Sequence, residues 1–448
     1  MTDISNYRPV SCVSSASKVL ESIVLAQLSA HFENNSLLPF QQHGFRASRS
    51  TTTALTSMIA EWVKNHEAGL HTGVLLWDLS SAFDTIDVDV LCRKLSLYGV
   101  NDCSVRWFRS FLTNRQQCVQ VGYGTSRPKF VSVGCPQGCL LSPLLFLIYT
   151  ADIELWLKDV AVHGYADDTS MSVAAVSEED VVRKLEADAA RALRFMASNS
   201  LVANPMKTGF LLIRAKGSAQ QREVLVGNAL IKEESHHRIL GIVVNNKLSW
   251  DEHVNGGLVQ QVNRRVGALK RLSYHIPRKY LPEIASAIVA SKVRYGVSVY
   301  GSVRITDSDP KPIMYHDLQV ALNNAMRIAT GNRLSDRVSV SNLSLETNIP
   351  TLNRMAAGEK LILVWQSLHD PKSPLRDVLN SVEELGSKTT RARTRGDIQP
   401  MAKTSLGHRN FPHSVVCLWN KVDPSLRNIE TKCAAKRKIR EIINALPL

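Results

Sequence analysis

Two adjacent carboxylates, Asp167 and Asp168, stand between two runs that read as short strands, and this feature limits the folds and chemistry open to the chain more than any other. The runs are Val160–Gly164 and Thr169–Val173, which makes Tyr165-Ala166-Asp167-Asp168 the tip of a hairpin. Two anions at one tip are electrostatically costly unless a cation shares the site. Hard oxygen ligands there suit Mg²⁺ or Mn²⁺. A third carboxylate, Asp78, closes another strand-like run that begins at Gly73. One acid from a strand end and two from a neighbouring hairpin form a set suited to two-metal phosphoryl transfer. An isolated Asp-Asp pair reads as a solvated turn, because Asp favours turns. The flanking apolar runs and the matching segment at Asp78 reverse that reading.

Charge points to the substrate. The 448 residues carry a net charge of +14, with a pI near 9.4, which favours a polyanionic partner. The basic residues are clustered. Between Val254 and Tyr295 there are eight Lys or Arg against one acid, Glu283, and from Lys388 onward thirteen against four. A chain that chelates metal with one part and grips phosphates with others fits this distribution. With 44% hydrophobic and 21% charged residues, the composition is globular and large enough for two or three domains, which excludes disorder over most of the length. Of the eight cysteines only Cys135 and Cys139 are close in sequence, and no His or Cys pair completes a zinc set, so neutral thiols are expected. No signal peptide is visible, and the longest apolar run, Leu140–Leu147, is broken by Ser142-Pro143 and too short to span a bilayer. A reducing intracellular setting and no membrane partner are the expectations.

Periodicity gives mixed α and β structure. Val19, Leu20, Ile23, Val24 and Leu28 predict an apolar face on a helix over Ala16–Phe32. Ser50 caps a helix to about Lys64, and further helices fall at Val88–Tyr98 and Ser104–Leu112. Gln117–Val121 and Lys129–Val133 read as paired strands around a Gly-rich turn. Ser142-Pro143 reads as N-cap and first helical residue of a helix to about Trp156, and Ser177 opens a long helix to about Asn199. Thr208–Arg214 and Arg238–Val244 each read as a strand. Leu258, Val262, Val266, Leu269 and Leu272 mark a helix stripe with Arg264, Arg265, Lys270 and Arg271 off it. Helices also fall at Pro282–Val293, His316–Ala329 and Leu352–Leu368, whereas Thr389–Arg395 reads as a basic linker or arm. The class is α+β, with helices on one face of an antiparallel sheet.

These residues resemble a known family. Asp78-Leu79-Ser80-Ser81-Ala82-Phe83-Asp84 is similar to the first catalytic motif of reverse transcriptases, and Tyr165-Ala166-Asp167-Asp168 to the third. Between them, Gly134-Cys135-Pro136-Gln137-Gly138 resembles the Pro-Gln-Gly motif. Asn6-Tyr7-Arg8-Pro9 and Gly44-Phe45-Arg46 resemble the fingers motifs of non-LTR (LINE-type) retrotransposon enzymes. Asn204-Pro205-Met206-Lys207 and Leu240-Gly241 resemble the fourth palm motif and the primer grip. The match runs in the family's order over about residues 6–250. Phe411-Pro412 and Leu418-Trp419-Asn420 also look like the ends of Jockey/CR1-like elements. His43, Cys135, Cys139 and Ser142 depart from the commoner residues, and none of them replaces a metal ligand.

The resemblance implies a right-hand polymerase: an antiparallel-sheet palm, interleaved fingers, a helical thumb and a mostly helical C-terminal region. Its expected divisions are truncated N-terminal fingers at 1–71, palm with the remaining fingers at 72–250, thumb at 251–334 and a basic region at 335–448. It implies RNA-directed DNA synthesis from a DNA 3′-hydroxyl, with Asp78, Asp167 and Asp168 holding two Mg²⁺ ions, for which Mn²⁺ substitutes. Phe83 would stack under the incoming sugar and exclude a 2′-hydroxyl. Gln137 and the backbone of Gly138 would meet the nucleotide, Arg46 the triphosphate and Lys207 the pyrophosphate. Leu240, Gly241, Arg264, Arg265, Lys270 and Arg271 would contact primer and template. The expected partners are an RNA template, a DNA primer or target, dNTPs and an element-encoded ribonucleoprotein, in nucleus and cytoplasm. The family's upstream endonuclease is not expected within these residues. Two rivals are an inactive, domesticated relative that binds RNA in a ribonucleoprotein, and an RNA-directed RNA polymerase, which Phe83 disfavours.

Overall fold

The computed structural model describes residues 10–77, 79–80, 83–203, 208–217, 220–303, 315–380, 404, 406–407 and 411–445. They gather into two compact units, one of residues 1–47, 73–210 and 220–233, the other of 48–72, 211–219 and 234–448. The expected divisions cut the chain differently. The helix α2 (Thr51–Glu67), placed with the fingers, falls in the second unit, and the segment after Glu233 joins the residues expected as thumb and tail.

The first unit opens with α1 (Ser15–Asn34), whose N-cap Ser14 accepts a hydrogen bond from the amide of Ser17. The expected apolar face is not its packed face: Val19, Leu20 and Ile23 are exposed while Glu21 is 1% exposed. The reason lies at the start of another helix, α5 (Ser142–Thr150). Its N-cap is Leu141, which has no side chain able to cap, and Glu21 Oε2 accepts from the amides of Leu140 (2.6 Å) and Leu141 (3.3 Å) instead. A carboxylate at a helix N-terminus satisfies orphan donors and opposes the positive end of the dipole. Ser142, expected as the cap, is the first helical residue and donates to the Pro136 carbonyl (2.8 Å).

The central sheet has the order β10-β1-β8-β7, from β1 (His71–Trp77), β7 (Ala161–Tyr165), β8 (Asp168–Ala175) and β10 (Gly209–Ile213). Thr72–Trp77 and all of β10 are buried, so these strands read as continuous apolar runs, whereas β7 and β8 carry polar residues towards the hairpin tip. The short β2 (Leu79–Ser80) pairs with β9 (Val202–Ala203). One face of the sheet is covered by α6 (Glu178–Ser198), through Val181, Leu185, Ala189 and Ala192. Within α6, buried Asp188 accepts from the amides of Asp159 (2.6 Å) and Val160 (3.0 Å), which fixes the segment feeding β7. Burial resists its ionisation, but these donors and Arg191 outweigh that and hold the carboxyl below its usual range.

Helices α3 (Val88–Leu97) and α4 (Asp102–Leu112) precede a ribbon in which β3 (Arg115–Gln117) pairs with β6 (Lys129–Val131) and β4 (Gln120–Val121) with β5 (Gly124–Thr125). A hairpin that the sequence reading did not find, β11 (Glu223–Val226) with β12 (Ala229–Lys232), completes the unit.

The second unit is mainly helical. Arg238–Val244, expected as one strand, is a hairpin of β13 (His236–Ile239) and β14 (Ile242–Asn245). The short α7 (Asp251–His253) runs through a π-turn into α8 (Val259–Leu272), and Leu258, Val262 and Leu269 of the expected stripe are buried. Further helices are α9 (Leu281–Ala285), α10 (Ser291–Arg294), α11 (Val297–Tyr300), α12 (His316–Thr330), α13 (Val340–Thr347), α14 (Leu352–His369), α15 (Arg376–Asn380), α16 (Phe411–Lys421) and α17 (Lys432–Ala445). The last four share a core that includes Leu361, Trp365, Val415, Trp419 and Ile439. The expected arm Thr389–Arg395 lies outside the described residues. Among the described residues no helix is long and apolar enough to cross a membrane.

Candidate active site

The acidic tip forms as a two-residue turn. Tyr165 pairs with Asp168 across the β7–β8 ladder, leaving Ala166 and Asp167 between them. Ala166 has φ 59° and Asp167 does not share that positive φ, the pattern of a type II′ hairpin. A non-glycine residue in this region costs about 1–2 kcal/mol and persists only where neighbours enforce it. The loop Gln41–Gly44 does so. Gln41 and His43 exchange backbone hydrogen bonds with Gly164 (3.1 and 2.8 Å). Gln42 Oε1 accepts from the Ala166 amide (3.1 Å) and the Gly44 amide (2.9 Å). Gly44 lies so close that a Cβ there would sit 2.3 Å from the Ala166 nitrogen. The backbone of the tip is therefore clamped. Asp167 is half-buried and Asp168 exposed.

β1 approaches the same end of the sheet. The Trp77 indole N–H donates to Met171 Sδ (3.0 Å), three residues into β8. Asp78 follows Trp77 directly but lies outside the described residues, as does Lys207. Among the described residues no group of three His, Cys, Asp or Glu forms a metal cluster. The two described acids nonetheless fit a hard divalent cation. They are carboxylates at an accessible tip, and the thiols of Cys135 and Cys139 are buried and pushed up to about 12 and about 11 by that burial, so they stay protonated.

The first and second motifs are laced together. The Cys135 amide donates to the Phe83 carbonyl and the Gly134 amide to that of Ile86, each at 2.8 Å. Gln137 Nε2 donates to both carboxylate oxygens of Asp84 (3.1 Å each). Phe83 is half-buried, with its ring centroid 5.0 Å from that of buried Phe146 on α5. Gly138 has φ +110°, and a Cβ there would meet the Ser11 carbonyl oxygen at 2.8 Å, so its close approach is to the chain's own N-terminal segment. Arg46 has internal partners: its guanidinium pairs with Glu33 (2.8 and 2.7 Å) and donates to the Pro39 carbonyl (2.6 Å), with 7% of the side chain exposed. A triphosphate would have to displace Glu33 to reach it.

The remaining expected contacts lie in the second unit. Leu240 and Gly241 form the β13–β14 turn, with φ 47° and 82°, and the Tyr295 hydroxyl donates to the Leu240 carbonyl (2.6 Å). Arg264, Arg265, Lys270 and Arg271 are exposed on α8, and Arg265 also donates to the Ile288 carbonyl (2.7 Å). The supporting roles of Gln42, Asp84 and Tyr295 were not anticipated; Gln42 leaves only a faint sequence signal, two positions before Gly44 and far from the acids it serves.

Comparison with known proteins decides the family. Residues 2–244, more than half of the chain, match the family described as "Reverse transcriptase (RNA-dependent DNA polymerase)". The chain belongs to the reverse transcriptase family. It is 28% identical over 317 residues to the Drosophila melanogaster "RNA-directed DNA polymerase from mobile element jockey", a match covering 67% of this chain and 34% of that protein. It is 24% identical over 345 residues to the "Probable RNA-directed DNA polymerase from transposon BS" of the same organism, covering 72% and 36%. The chain thus spans about a third of the length of these curated relatives. The motif-based resemblance to Jockey-type retrotransposon reverse transcriptases is met. A solved telomerase from Candida tropicalis, in complex with a fragment of telomeric RNA, aligns at a TM-score of 0.40 and 10% identity over 85% of this chain and 56% of that one.

Proposed function

We propose that this reverse transcriptase chain extends a DNA 3′-hydroxyl on an RNA template, taking dNTPs. The carrying observation is the clamped acidic turn: its Ala166 backbone is held by Gln42 and Gly44 beside the two carboxylates, at the end of the sheet that β1 also reaches. Asp78, next in the chain after Trp77, is assigned as the third acid. Reverse transcriptases use divalent metal ions, and Asp78, Asp167 and Asp168 would hold two Mg²⁺. The bound ions would supply charge neutralisation for the attacking and leaving oxygens of phosphoryl transfer. The chain's own residues supply position. The Gln42 clamp fixes where the carboxylates stand, which is the main requirement in a reaction dominated by placement and charge. Phe83, backed by Phe146, is assigned as the sugar gate, and Lys207 as the group that meets pyrophosphate. Gln137, tied to Asp84, would stiffen the floor beneath the nucleotide. The turn Leu240–Gly241 and the cations of α8 are assigned to primer and template backbone, read as thumb and primer grip, and contacts there would be sequence-independent and salt-sensitive. A ribonucleoprotein in nucleus and cytoplasm is the corresponding setting.

The test is primer extension on an RNA template with dNTPs or with NTPs. Extension should require a divalent metal and strongly prefer dNTPs, and Phe83→Val should raise ribonucleotide use by about tenfold, a transition-state change near 1.4 kcal/mol. Equal use of NTPs by the unmodified chain would overturn the reading.

A further inference from the structure

We propose that a cationic cleft in the second unit, between α14 and α17, binds a single nucleic-acid strand through its phosphates, separately from the exposed cations of α8. The cleft has a volume of about 410 Å³. Four cations line it: Arg294 from α10, Arg354 from α14, and Lys436 and Arg440 from α17. Among the described residues Glu359 is the one lining acid, and Arg294 Nε already meets it at 3.3 Å. Glu359 also attracts Lys436, which leaves Arg354 and Arg440 without a lining carboxylate among the described residues.

Arg354 sharpens the case. Its Nε is buried and has no hydrogen-bond partner among the described residues. A buried charged donor without an acceptor is expensive, and cations converging without counter-charge repel. An anion in the cleft relieves both. Guanidinium forks match phosphate oxygens bidentately, and both uncompensated groups are arginines. The lining also holds apolar side chains, including Met355, Ile362 and Ile439, beside the polar Ser344, Asn348 and Asn444. That combination suits a ligand whose anionic groups alternate with flat, weakly polar ones. A single strand presents both phosphates and base faces, whereas a duplex hides the faces and is too large for the space. Among the described residues no aromatic ring lines the cleft, so contacts to phosphates would dominate and tolerate any sequence. The nucleic-acid nature of the occupant rests on the proposed function; the anion site rests on the residues.

The experiment measures fluorescence anisotropy of labelled oligo(dT) and oligo(rU), about ten nucleotides long, with the full chain over a series of salt concentrations. The variants are Arg354→Gln/Arg440→Gln, which removes two cations, and Lys436→Gln, at an exposed position on α17 where the fold should be unaffected. The double variant should weaken binding by about tenfold and flatten the log–log salt slope by about 1.4, from two lost contacts at about 0.7 each on a single strand. Lys436→Gln should flatten it by about half as much. Equal losses on both oligonucleotides identify shared phosphate recognition, and a larger loss on oligo(rU) identifies an RNA strand that also uses its 2′-hydroxyls. Affinity and slope unchanged in Lys436→Gln and in the double variant overturn the proposal, as does equal competition by polyglutamate, which would identify an acidic peptide instead. Retained strand binding with no primer extension would sink the polymerase reading and leave the cleft standing.

Discussion

The turn at Ala166–Asp167 joins β7 to β8 in the first unit, and the turn at Leu240–Gly241 joins β13 to β14 in the second; both place two residues between paired strands. Each bends through a non-glycine residue in the left-handed region, Ala166 at φ 59° and Leu240 at φ 47°. Their supports differ. Ala166 is held at the backbone, by the Gln42 side chain and by a glycine too close to tolerate a methyl group. Leu240 is held by one exposed hydroxyl on its carbonyl. A clamp at the backbone leaves little room for the acids to move, which the proposed phosphoryl transfer would require. A single hydroxyl tether lets a turn keep its shape while it yields to what it meets. The units also differ in buried charge. Asp188 in the first is met by backbone amides and Arg191, whereas fully buried Lys360 in the second has its Nζ 2.9 Å from Ser414 Oγ and no acid beside it among the described residues.

With both carboxylates kept, breaking the tighter clamp should have the largest effect. Gly44→Ala forces a Cβ against the Ala166 nitrogen, and a displacement of the tip near 1 Å should lower the extension rate by about 10²-fold. Hybrid affinity, read by anisotropy, should change little; an unchanged rate would mean the loop only packs beside the turn. Next in size is the buried lysine. Burial lowers the Lys360 pKa to about 7 from its ordinary 10.5, so the unfolded chain binds more protons between those values. Its contribution to stability is therefore weakest below about pH 7 and grows as pH rises towards about 10. Lys360→Met should raise stability at low pH by about 2 kcal/mol and remove that rise, read by urea unfolding at several pH values. A variant less stable than the parent at low pH would show that the Ser414 contact outweighs the cost of burial.

Smaller still is Gln42→Ala, which leaves the Ala166 and Gly44 amides without their acceptor and should slow extension by about tenfold. Partial recovery with Gln42→Glu, which keeps an oxygen at the same reach, would separate positioning from simple loss of stability. Tyr295→Phe should be mildest, loosening the β13–β14 turn by about 1 kcal/mol in local hydrogen exchange. A loss from Tyr295→Phe as large as that from Gly44→Ala would erase the contrast between the turns.

Much of the frame was legible beforehand, and what was not has physical causes. The acidic hairpin stood out because alternation and an acidic tip coincide within a few residues. The helices α2, α6 and α12 were legible from caps and spacing, which are local signals. The packed face of α1 was not: Glu21 is buried because Leu140 and Leu141, far along the chain, have amides that need an acceptor. Arg238–Val244 passed for one strand because its apolar run hides the Leu240–Gly241 bend. At the site, motif similarity singled out Asp167, Asp168, Phe83 and Gln137 as candidates, but gave no hint that Arg46 is paired with Glu33 or that Gln42 caps the Ala166 amide. Partnerships of that kind depend on which segments meet in space.

The most direct measurement is single-turnover primer extension by the parent chain and by Asp167→Asn, each saturated with an RNA–DNA hybrid in the presence of Mg²⁺. Loss of the carboxylate should lower the rate by about 10³-fold or more, roughly 4 kcal/mol in the transition state, while the hybrid still binds with nearly the same affinity. Extension at the parental rate by Asp167→Asn would contradict the assignment of the clamped turn as the catalytic centre.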